Sequence, residues 1–174
     1  MKLSEVKIGK TFTVAGMEFI KFTDEDGVCA VVSKDILFNS EFGKNNNFAE
    51  SKILEELKNK ILAKYEREIG AENIKEFELD LTSLDGLDTY GKIITKIGLP
   101  TFDFYRENVK IFDKYKVSDW WWTATPDTTK EHYNDYWVTC VSPDGIINSN
   151  VYSISRGVRP FLYFVSSISV SCEE

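Results

Sequence analysis

The sequence is short of the residues that build metal, cofactor and disulfide sites. Its 174 residues contain one histidine and three cysteines, Cys29, Cys140 and Cys172, which are widely spaced and odd in number. That pattern has no zinc-ligand spacing and is more typical of a reducing compartment than of a disulfide framework. No Walker loop, Rossmann fingerprint or His-Glu-x-x-His motif occurs either. We therefore predict that the chain holds no metal and no cofactor.

Residues in a catalytic pattern are equally scarce. A nucleophilic mechanism needs a Ser or Cys beside an oriented base, and a single histidine in a loop gives no such pattern. Carboxylates are too numerous to single out one pair, since Asp and Glu together number 28. We predict no catalytic residue and expect a protein that is not an enzyme.

Basic residues are fewer than acidic residues. The chain has 21 Lys and Arg against its 28 acids, which gives a formal net charge of −7 and a pI near 4.9. The imbalance is strongest in residues 119–174, where seven acids face three bases. Proteins that bind nucleic acid carry a basic patch or stripe, so we expect no direct nucleic-acid partner.

Long apolar runs are missing as well. No run of about 18 apolar residues occurs, which is the length that a membrane span needs. The first ten residues, MKLSEVKIGK, lack the apolar segment of a signal peptide. We expect no membrane partner and a cytoplasmic location.

What the chain does have is enough apolar sequence for one core. Hydrophobic residues make up 43% of it, which at this length predicts a single self-sufficient domain, residues 1–174. Three β-type runs within residues 11–33 are separated by Ala15-Gly16 and by the turn residues 24–27. These features predict an antiparallel N-terminal meander.

The next segment has the pattern of a helix. Asn47 and Glu50 have the spacing of a capping box, and Gly70 is a stop signal. Apolar residues recur between them at near-helical spacing, so we predict one long helix over residues 48–69.

The rest of the chain predicts short strands and a shorter helix. Residues 77–92 favour a short strand and an ordered loop, followed by a strand near 93–97. Thr101 can cap a short helix that ends near residue 112. The C-terminal part has β-type runs at 120–125, 136–141, 146–151 and 158–165. We predict an α+β fold in which these four runs form one twisted, mostly antiparallel sheet with long loops.

Three adjacent tryptophans open that C-terminal part, in the stretch DWWWTATPD. In a strand, Trp120 and Trp122 share one face and Trp121 points to the other. We predict that Trp120 and Trp122 face the core. A loop at 126–136 then either covers Trp121, the case that we favour, or leaves it as the floor of a recognition surface.

The loops of the C-terminal part supply the remaining candidates. Tyr, Asn and Thr in loops are adaptable contact residues, and loops on a rigid sheet commonly carry recognition. Asn134-Asp135 is similar to a pair in calcium-binding lectins, but their acidic-Pro-Asn motif is missing, so we predict no calcium site. The candidate binding residues are Trp121, Asp127, His132, Tyr133, Asn134, Asp135, Tyr136, Tyr152 and Arg156.

Two other polar motifs predict structural roles. Asp80, Asp85 and Asp88 lack the spacing of an EF-hand loop, and we interpret them as Asx-turn residues. Arg159 is predicted to be structural, with its planar guanidinium bonding oxygen atoms. Pro160 has no N–H and predicts a sheet edge or a bulge.

Several motifs occur in a recognisable order. They are WW-x-x-x-P (residues 121–126), VSPDG (141–145) and GVRPFLYF (157–164), preceded by ELDLTSLDG (78–86) and FYRE (104–107). In this order they resemble a family of uncharacterised bacterial and phage proteins. That family is similar in fold to the C-type-lectin-like proteins, and formylglycine-generating enzymes share the same broad fold. The resemblance implies a lectin-like fold, a phage or prophage origin and association with the phage particle as a second possible location.

Two functional hypotheses follow. The first is a non-enzymatic binding module that recognises a protein or a glycan through the loops at 126–136 and 148–156. The second is an acidic intracellular inhibitor, of anti-defence or anti-CRISPR type, that blocks the basic groove of a nucleic-acid enzyme.

Overall fold

The chain builds an α+β fold with mostly antiparallel sheets and few helices. The structure is a computed structural model that describes residues 1–173. Its first sheet has five antiparallel strands in the order β1-β2-β3-β12-β7. These strands are β1 (Thr11–Val14), β2 (Met17–Lys21), β3 (Val28–Ser33), β7 (Ile97–Gly98) and β12 (Phe161–Val165).

The predicted N-terminal meander is confirmed as β1, β2 and β3. Its first turn places Ala15 and Gly16 at φ 51° and 77°, and its second places Asp26 and Gly27 at φ 52° and 76°. Two successive positive φ values are what a tight hairpin turn requires. The local turn chemistry therefore sets the register of this part of the sheet.

The second sheet also has five strands, in the order β10-β9-β8-β11-β4. They are β4 (Phe38–Ser40), β8 (Trp121–Pro126), β9 (Trp137–Val141), β10 (Ile147–Val151) and β11 (Arg156–Val158). Pairing is antiparallel except between β8 and β11, which run parallel where Trp121 faces Gly157. The outermost strand, β10, pairs only with β9.

The prediction that all four C-terminal runs form one sheet is wrong for the last run. Residues 158–165 break at Arg159-Pro160, so that β11 lies in the second sheet and β12 in the first. The Arg159 side chain is buried and donates to the carbonyl oxygens of Ser33 at 3.1 Å and Lys34 at 2.8 Å. These bonds hold the crossing point against the end of β3, and Pro160 needs no ladder partner there.

The long helix begins later than predicted. Asn47 caps only a 3-10 turn (Phe48–Glu50), and the side chain of Glu50 accepts from Asn45 instead of closing a capping box. The helix proper starts after Ser51, whose Oγ accepts from the Leu54 N–H at 3.0 Å. It comprises α1 (Lys52–Glu56), a π-helical segment (Leu57–Leu62) and α2 (Ala63–Ile69). As predicted, Gly70 ends it, at φ 91°.

The remaining elements are short. Thr101 caps the second helix as predicted, but the helix breaks at Asn108 into α3 (Phe102–Glu107) and α4 (Val109–Phe112). The strand expected near 93–97 is divided between β7 and a separate hairpin. That hairpin pairs β5 (Phe77–Asp80) with β6 (Lys92–Thr95). Two further 3-10 turns are Leu3–Glu5 and Ala71–Asn73.

Two apolar clusters fill the interior. The larger joins both sheets to the long helix through residues such as Phe164, Trp122 and Tyr65. The smaller packs α3 and α4 against both sheets around Phe161 and Trp121. No helix within residues 1–173 has the length and apolar character to cross a bilayer.

Candidate functional site

The three tryptophans divide between the two clusters. Trp122 is fully buried in the larger one, where its Nε1 donates to the Ser40 carbonyl oxygen at 2.9 Å. Trp120 is half-buried and packs against the same cluster, as the alternation predicts. Trp121 points the other way and is 2% exposed.

What covers Trp121 differs from the prediction. Its ring stacks on Phe112 at 5.5 Å and meets Tyr105 at 5.7 Å, so the region of α3 and α4 covers it and not the loop at 126–136. The Arg159 guanidinium lies 4.9 Å from the ring centroid. Trp121 is therefore a core residue, and a partner of the folded chain has no access to it.

Arg159 has the structural role that its motif predicts. Burial lowers the pKa of its guanidinium to about 10, and no carboxylate of residues 1–173 lies within ion-pair distance of it. Two carbonyl oxygens and the faces of Phe112 and Trp121 stabilise the charge instead. The residue joins the two sheets where the chain crosses between them.

The loop between β8 and β9 is held down by buried hydrogen bonds. Asn46, which has no exposed surface, donates through Nδ2 to the carbonyl oxygens of Thr128 at 2.8 Å and Trp137 at 3.1 Å. The Asn46 N–H also donates to the Asp135 carbonyl oxygen at 2.8 Å. Three bonds from one residue fix both ends of this loop.

A second anchor joins the same loop to the β5–β6 hairpin. Oδ2 of Asp85 lies 2.7 Å from His132 Nδ1 and accepts from Thr128 Oγ1 at 2.6 Å, while Oδ1 accepts from Ser83. Burial raises the pKa of the Asp85 carboxyl group, but these hydrogen bonds lower it by more, to about 2. The interpretation of Asp85 as an Asx-turn residue is thus wrong, because its Oδ2 binds a distant loop and its Oδ1 accepts from the Ser83 hydroxyl instead of a backbone N–H.

Asp80 behaves as predicted. Its Oδ1 accepts from the Thr82 N–H at 2.9 Å and from the Thr82 hydroxyl at 2.6 Å, which is an Asx-turn arrangement. Asp88 contributes its carbonyl oxygen to the Gly91 N–H, so the turn there uses the backbone.

The Asp85–His132 pair orients an imidazole without a nucleophile. Within residues 1–173, no Ser, Thr or Cys hydrogen-bonds to the other ring nitrogen of His132. Burial raises the pKa of the Cys140 and Cys29 thiols to about 11, which keeps both protonated at neutral pH. No group of three His, Cys, Asp or Glu side chains in the described part of the chain is arranged to hold a metal ion.

Aromatic side chains project from this anchored loop. Tyr133 is 80% exposed and Tyr136 is 50% exposed. The Tyr136 ring lies 6.3 Å from that of Tyr152, which is half-buried, and Tyr136 N–H donates to Asn134 Oδ1 at 3.0 Å. The loop therefore presents its rings on a backbone that its own polar groups hold in place.

Exposed apolar side chains also occur on β9, on the edge strand β10 and in the segments that flank them. Within residues 1–173, ten large apolar side chains are exposed, and six of them lie between residues 133 and 154. We call these six the apolar margin: Tyr133, Tyr136, Trp137, Ile146, Ile147 and Ile154. Trp137 lies opposite Val151 and Ile147 lies opposite Val141, so the six are spread along the β9–β10 hairpin and the loops that flank it.

The backbone of β10 is only partly open to another strand. The Ser149 N–H is capped by Asn148 Oδ1 at 2.8 Å, and the Val151 carbonyl oxygen accepts from the Ile154 N–H at 3.1 Å. Such caps blunt a sheet edge against strand pairing. Contacts at the apolar margin therefore depend on side chains more than on backbone.

The other candidate residues support the loops. Arg156 donates to Asn150 Oδ1 at 2.8 Å and to the Ser155 carbonyl oxygen at 3.1 Å, while the Asp127 N–H donates to the Trp137 carbonyl oxygen at 3.0 Å. Sequence reasoning missed four members of the margin, Trp137, Ile146, Ile147 and Ile154, because a β-type run does not show which of its residues the assembled sheet leaves uncovered.

The site is thus a rigidly held aromatic loop beside a half-capped edge strand. It carries no arranged nucleophile and no ligand set for a metal within residues 1–173. A comparison with protein families, with curated proteins and with solved structures found nothing that matches this chain.

Proposed function

We propose that this chain is a non-enzymatic binding module that recognises a partner protein through the apolar margin. The observation that carries the proposal is the placement of six of the ten large exposed apolar side chains between residues 133 and 154. A concentration of exposed apolar groups marks an interaction site, and Tyr and Trp are enriched where binding energy concentrates.

A protein fits this surface better than a glycan does. Three members of the margin, Ile146, Ile147 and Ile154, are aliphatic and offer a sugar no hydrogen bond. The nearby amides are already engaged, since Asn134 caps Tyr136 and Asn150 accepts from Arg156. Aliphatic and aromatic groups together are typical of the core of a protein interface.

The anchoring of the loop supports the same function. Asn46 and Asp85 hold the backbone of residues 126–137 before any partner arrives. Ordering a loop on binding costs free energy, so a loop that is already ordered binds more tightly with the same contacts. Tyr133 and Tyr136 are then presented at low entropic cost.

The acidic-inhibitor hypothesis finds less support at this surface. Residues 133–156 contain two acids, Asp135 and Asp144, and one base, Arg156. A protein that mimics nucleic acid needs a dense row of negative charge to match a basic groove. The local charge of −1 favours the binding module.

The fold and its origin belong to the same proposal. We place the domain with the C-type-lectin-like fold, and with phage or prophage proteins, on the resemblance of its ordered motifs. A β-meander, a small number of helices and a long anchored loop on an antiparallel sheet support this placement. In such a fold, recognition through loops at the end of a rigid sheet is the expected arrangement.

Differential capture tests the function. The wild type, a Tyr133→Ala/Tyr136→Ala variant and an Ile94→Ala control are immobilised and exposed to a lysate of the source cells. Ile94 is a matched control because it is exposed and apolar but lies on β6, outside the margin. We expect a protein that the wild type and the control retain and the double variant loses. Equal retention by all three would refute the proposed surface.

A further inference from the structure

A groove lies on another part of the molecule, between the β5–β6 hairpin and α3. It consists of two adjoining cavities of about 200 Å³ and about 300 Å³. Both are lined by Asp80, Thr101 and Asp103, so the cavities meet at these residues. Neither cavity is lined by any residue of the apolar margin.

The smaller cavity is aromatic. Phe77, Phe104, Phe161 and Tyr163 line it, and the ring of Phe161 lies 4.9 to 5.3 Å from each of the other three. Phe161 is buried, whereas Phe77, Phe104 and Tyr163 keep part of their surface open. Aromatic rings in this arrangement bind alkyl stems by dispersion and cations by their π faces.

The junction of the two cavities is acidic. Asp103 makes its ion pair with Arg106 at 3.2 Å on the surface, where such a pair is weak and can rearrange. Asp80 has no ion-pair partner within 4 Å among residues 1–173, and its Oδ2 accepts no hydrogen bond from them. Hydrogen bonds from Thr82 and the nearby charge of Lys92 lower the pKa of the Asp80 carboxyl group.

We propose that this groove binds the side chain of a lysine presented by a peptide or protein. The alkyl stem lies against Phe77, Phe104 and Tyr163, and the ammonium group binds the free oxygen of Asp80, with Asp103 beside it. The aromatic rings suit the apolar alkyl stem, and the carboxylates suit the ammonium group. The two regions of the groove lie in the same order as the stem and the ammonium group of a lysine side chain. The aromatic cavity of about 200 Å³ suits one side chain, since drug-sized ligands occupy about 300–1,000 Å³.

Two features distinguish this ligand from others. An anion would meet three carboxylates, those of Glu78, Asp80 and Asp103, and a single exposed guanidinium, Arg106. A purely apolar group would fill the aromatic cavity and gain nothing from the Asp80 carboxylate, with which a cationic ligand forms a charge-assisted hydrogen bond. The site is independent of the proposed function, because it shares no residue with the apolar margin.

A titration followed by nuclear magnetic resonance tests the inference. The ¹⁵N-labelled protein is titrated with the blocked tripeptide acetyl-Gly-Lys-Gly-amide and with its norleucine analogue, which keeps the stem and lacks the charge. We expect saturable shifts of the amide signals of residues 77–86 and 99–106 with the lysine peptide, and much smaller shifts with norleucine. Equal binding of both peptides, or shifts elsewhere only, would overturn the proposal.

Charge-removing variants test which carboxylate binds the ammonium group of the lysine. Asp80→Asn keeps the turn with Thr82, because an amide oxygen also accepts, and should weaken binding of the lysine peptide about tenfold. Asp88→Asn makes the same charge change in the same hairpin loop and should leave binding unchanged. Asp103→Asn is the second test if Asp80→Asn does not give a folded spectrum. Equal effects of the groove variants and Asp88→Asn would contradict the site.

Discussion

The side chains of His132 and Asp85 meet at 2.7 Å although 47 residues separate them in the sequence. The contact joins the loop between β8 and β9 to the β5–β6 hairpin. Because Thr128 and Ser83 bond the same carboxylate, Asp85 holds the loop whether or not the imidazole is charged. The aromatic loop is therefore part of the rigid body that carries it.

The Asp85 anchor should make the free energy of unfolding depend on pH. The pKa of Asp85 is lowered from 3.8 to about 2 in the folded chain. A carboxyl group with a lower pKa in the folded state stabilises that state above its unfolded pKa, and the contribution is lost as the pH falls through the folded value. Asp85→Asn should therefore lower the melting temperature at pH 6, and the difference from wild type should shrink between about pH 4 and about pH 2.

Thermal unfolding followed by circular dichroism measures this difference at each pH. Asp88→Asn is the control, because it removes a carboxylate from the same loop and leaves the anchor intact. If the melting temperatures of Asp85→Asn and the wild type differ by the same amount from pH 6 to pH 2, the Asp85 carboxylate is not the group that makes stability depend on pH.

Trp121 and Trp137 should respond oppositely to truncation. Trp121→Ala removes a buried ring packed against Phe112, Tyr105 and Arg159, and should lower the free energy of unfolding by about 3–5 kcal/mol. Trp137→Ala removes a ring that is 40% exposed and should cost about 1 kcal/mol or less. Urea unfolding of the two variants measures both values, and the reverse order would contradict the assignment of core and surface.

Removal of divalent ions should have no effect on stability. The described residues contain no cluster arranged to hold a metal ion, so nothing there links folding to a cation. Melting temperatures with and without EDTA should coincide. A fall of more than about 5 °C, at least about 1 kcal/mol for a chain of this size, would reveal a metal site.

Duplex DNA should not bind at physiological salt. The net charge of −7 leaves too few cations to displace the counterions of DNA. A gel-shift titration should show no complex at micromolar protein. A complex that weakens as salt rises would contradict this expectation.

Local chemistry explains which parts of the fold the sequence predicts. The meander follows from Ala15-Gly16 and Asp26-Gly27, because each pair adopts the positive φ values of its turn without help from distant residues. The end of the long helix at Gly70 is local for the same reason. Its start is not predicted correctly, because Asn47 and Ser51 compete as caps and only the second precedes the α-helix.

Long-range contacts explain the errors. The division of residues 158–165 between two sheets depends on Arg159 reaching Ser33 and Lys34, more than 120 residues earlier. His132 is anchored by Asp85, and no local sequence pattern predicts this contact. The exposure of Trp137 on β9 and of Ile147 on β10 is a property of the assembled sheet, which the sequence of either strand alone does not show.

The proposal that the apolar margin binds a partner is tested most directly with the Tyr133→Ala variant. Calorimetry measures the affinity of the captured partner for the variant, and thermal unfolding measures the melting temperature of the variant. Tyr133 is exposed on an anchored loop, so its removal should leave the melting temperature unchanged and weaken binding about tenfold or more. Ile94→Ala should change neither quantity. Unchanged affinity for Tyr133→Ala, or a variant that unfolds, would contradict the central claim that the apolar margin binds a partner.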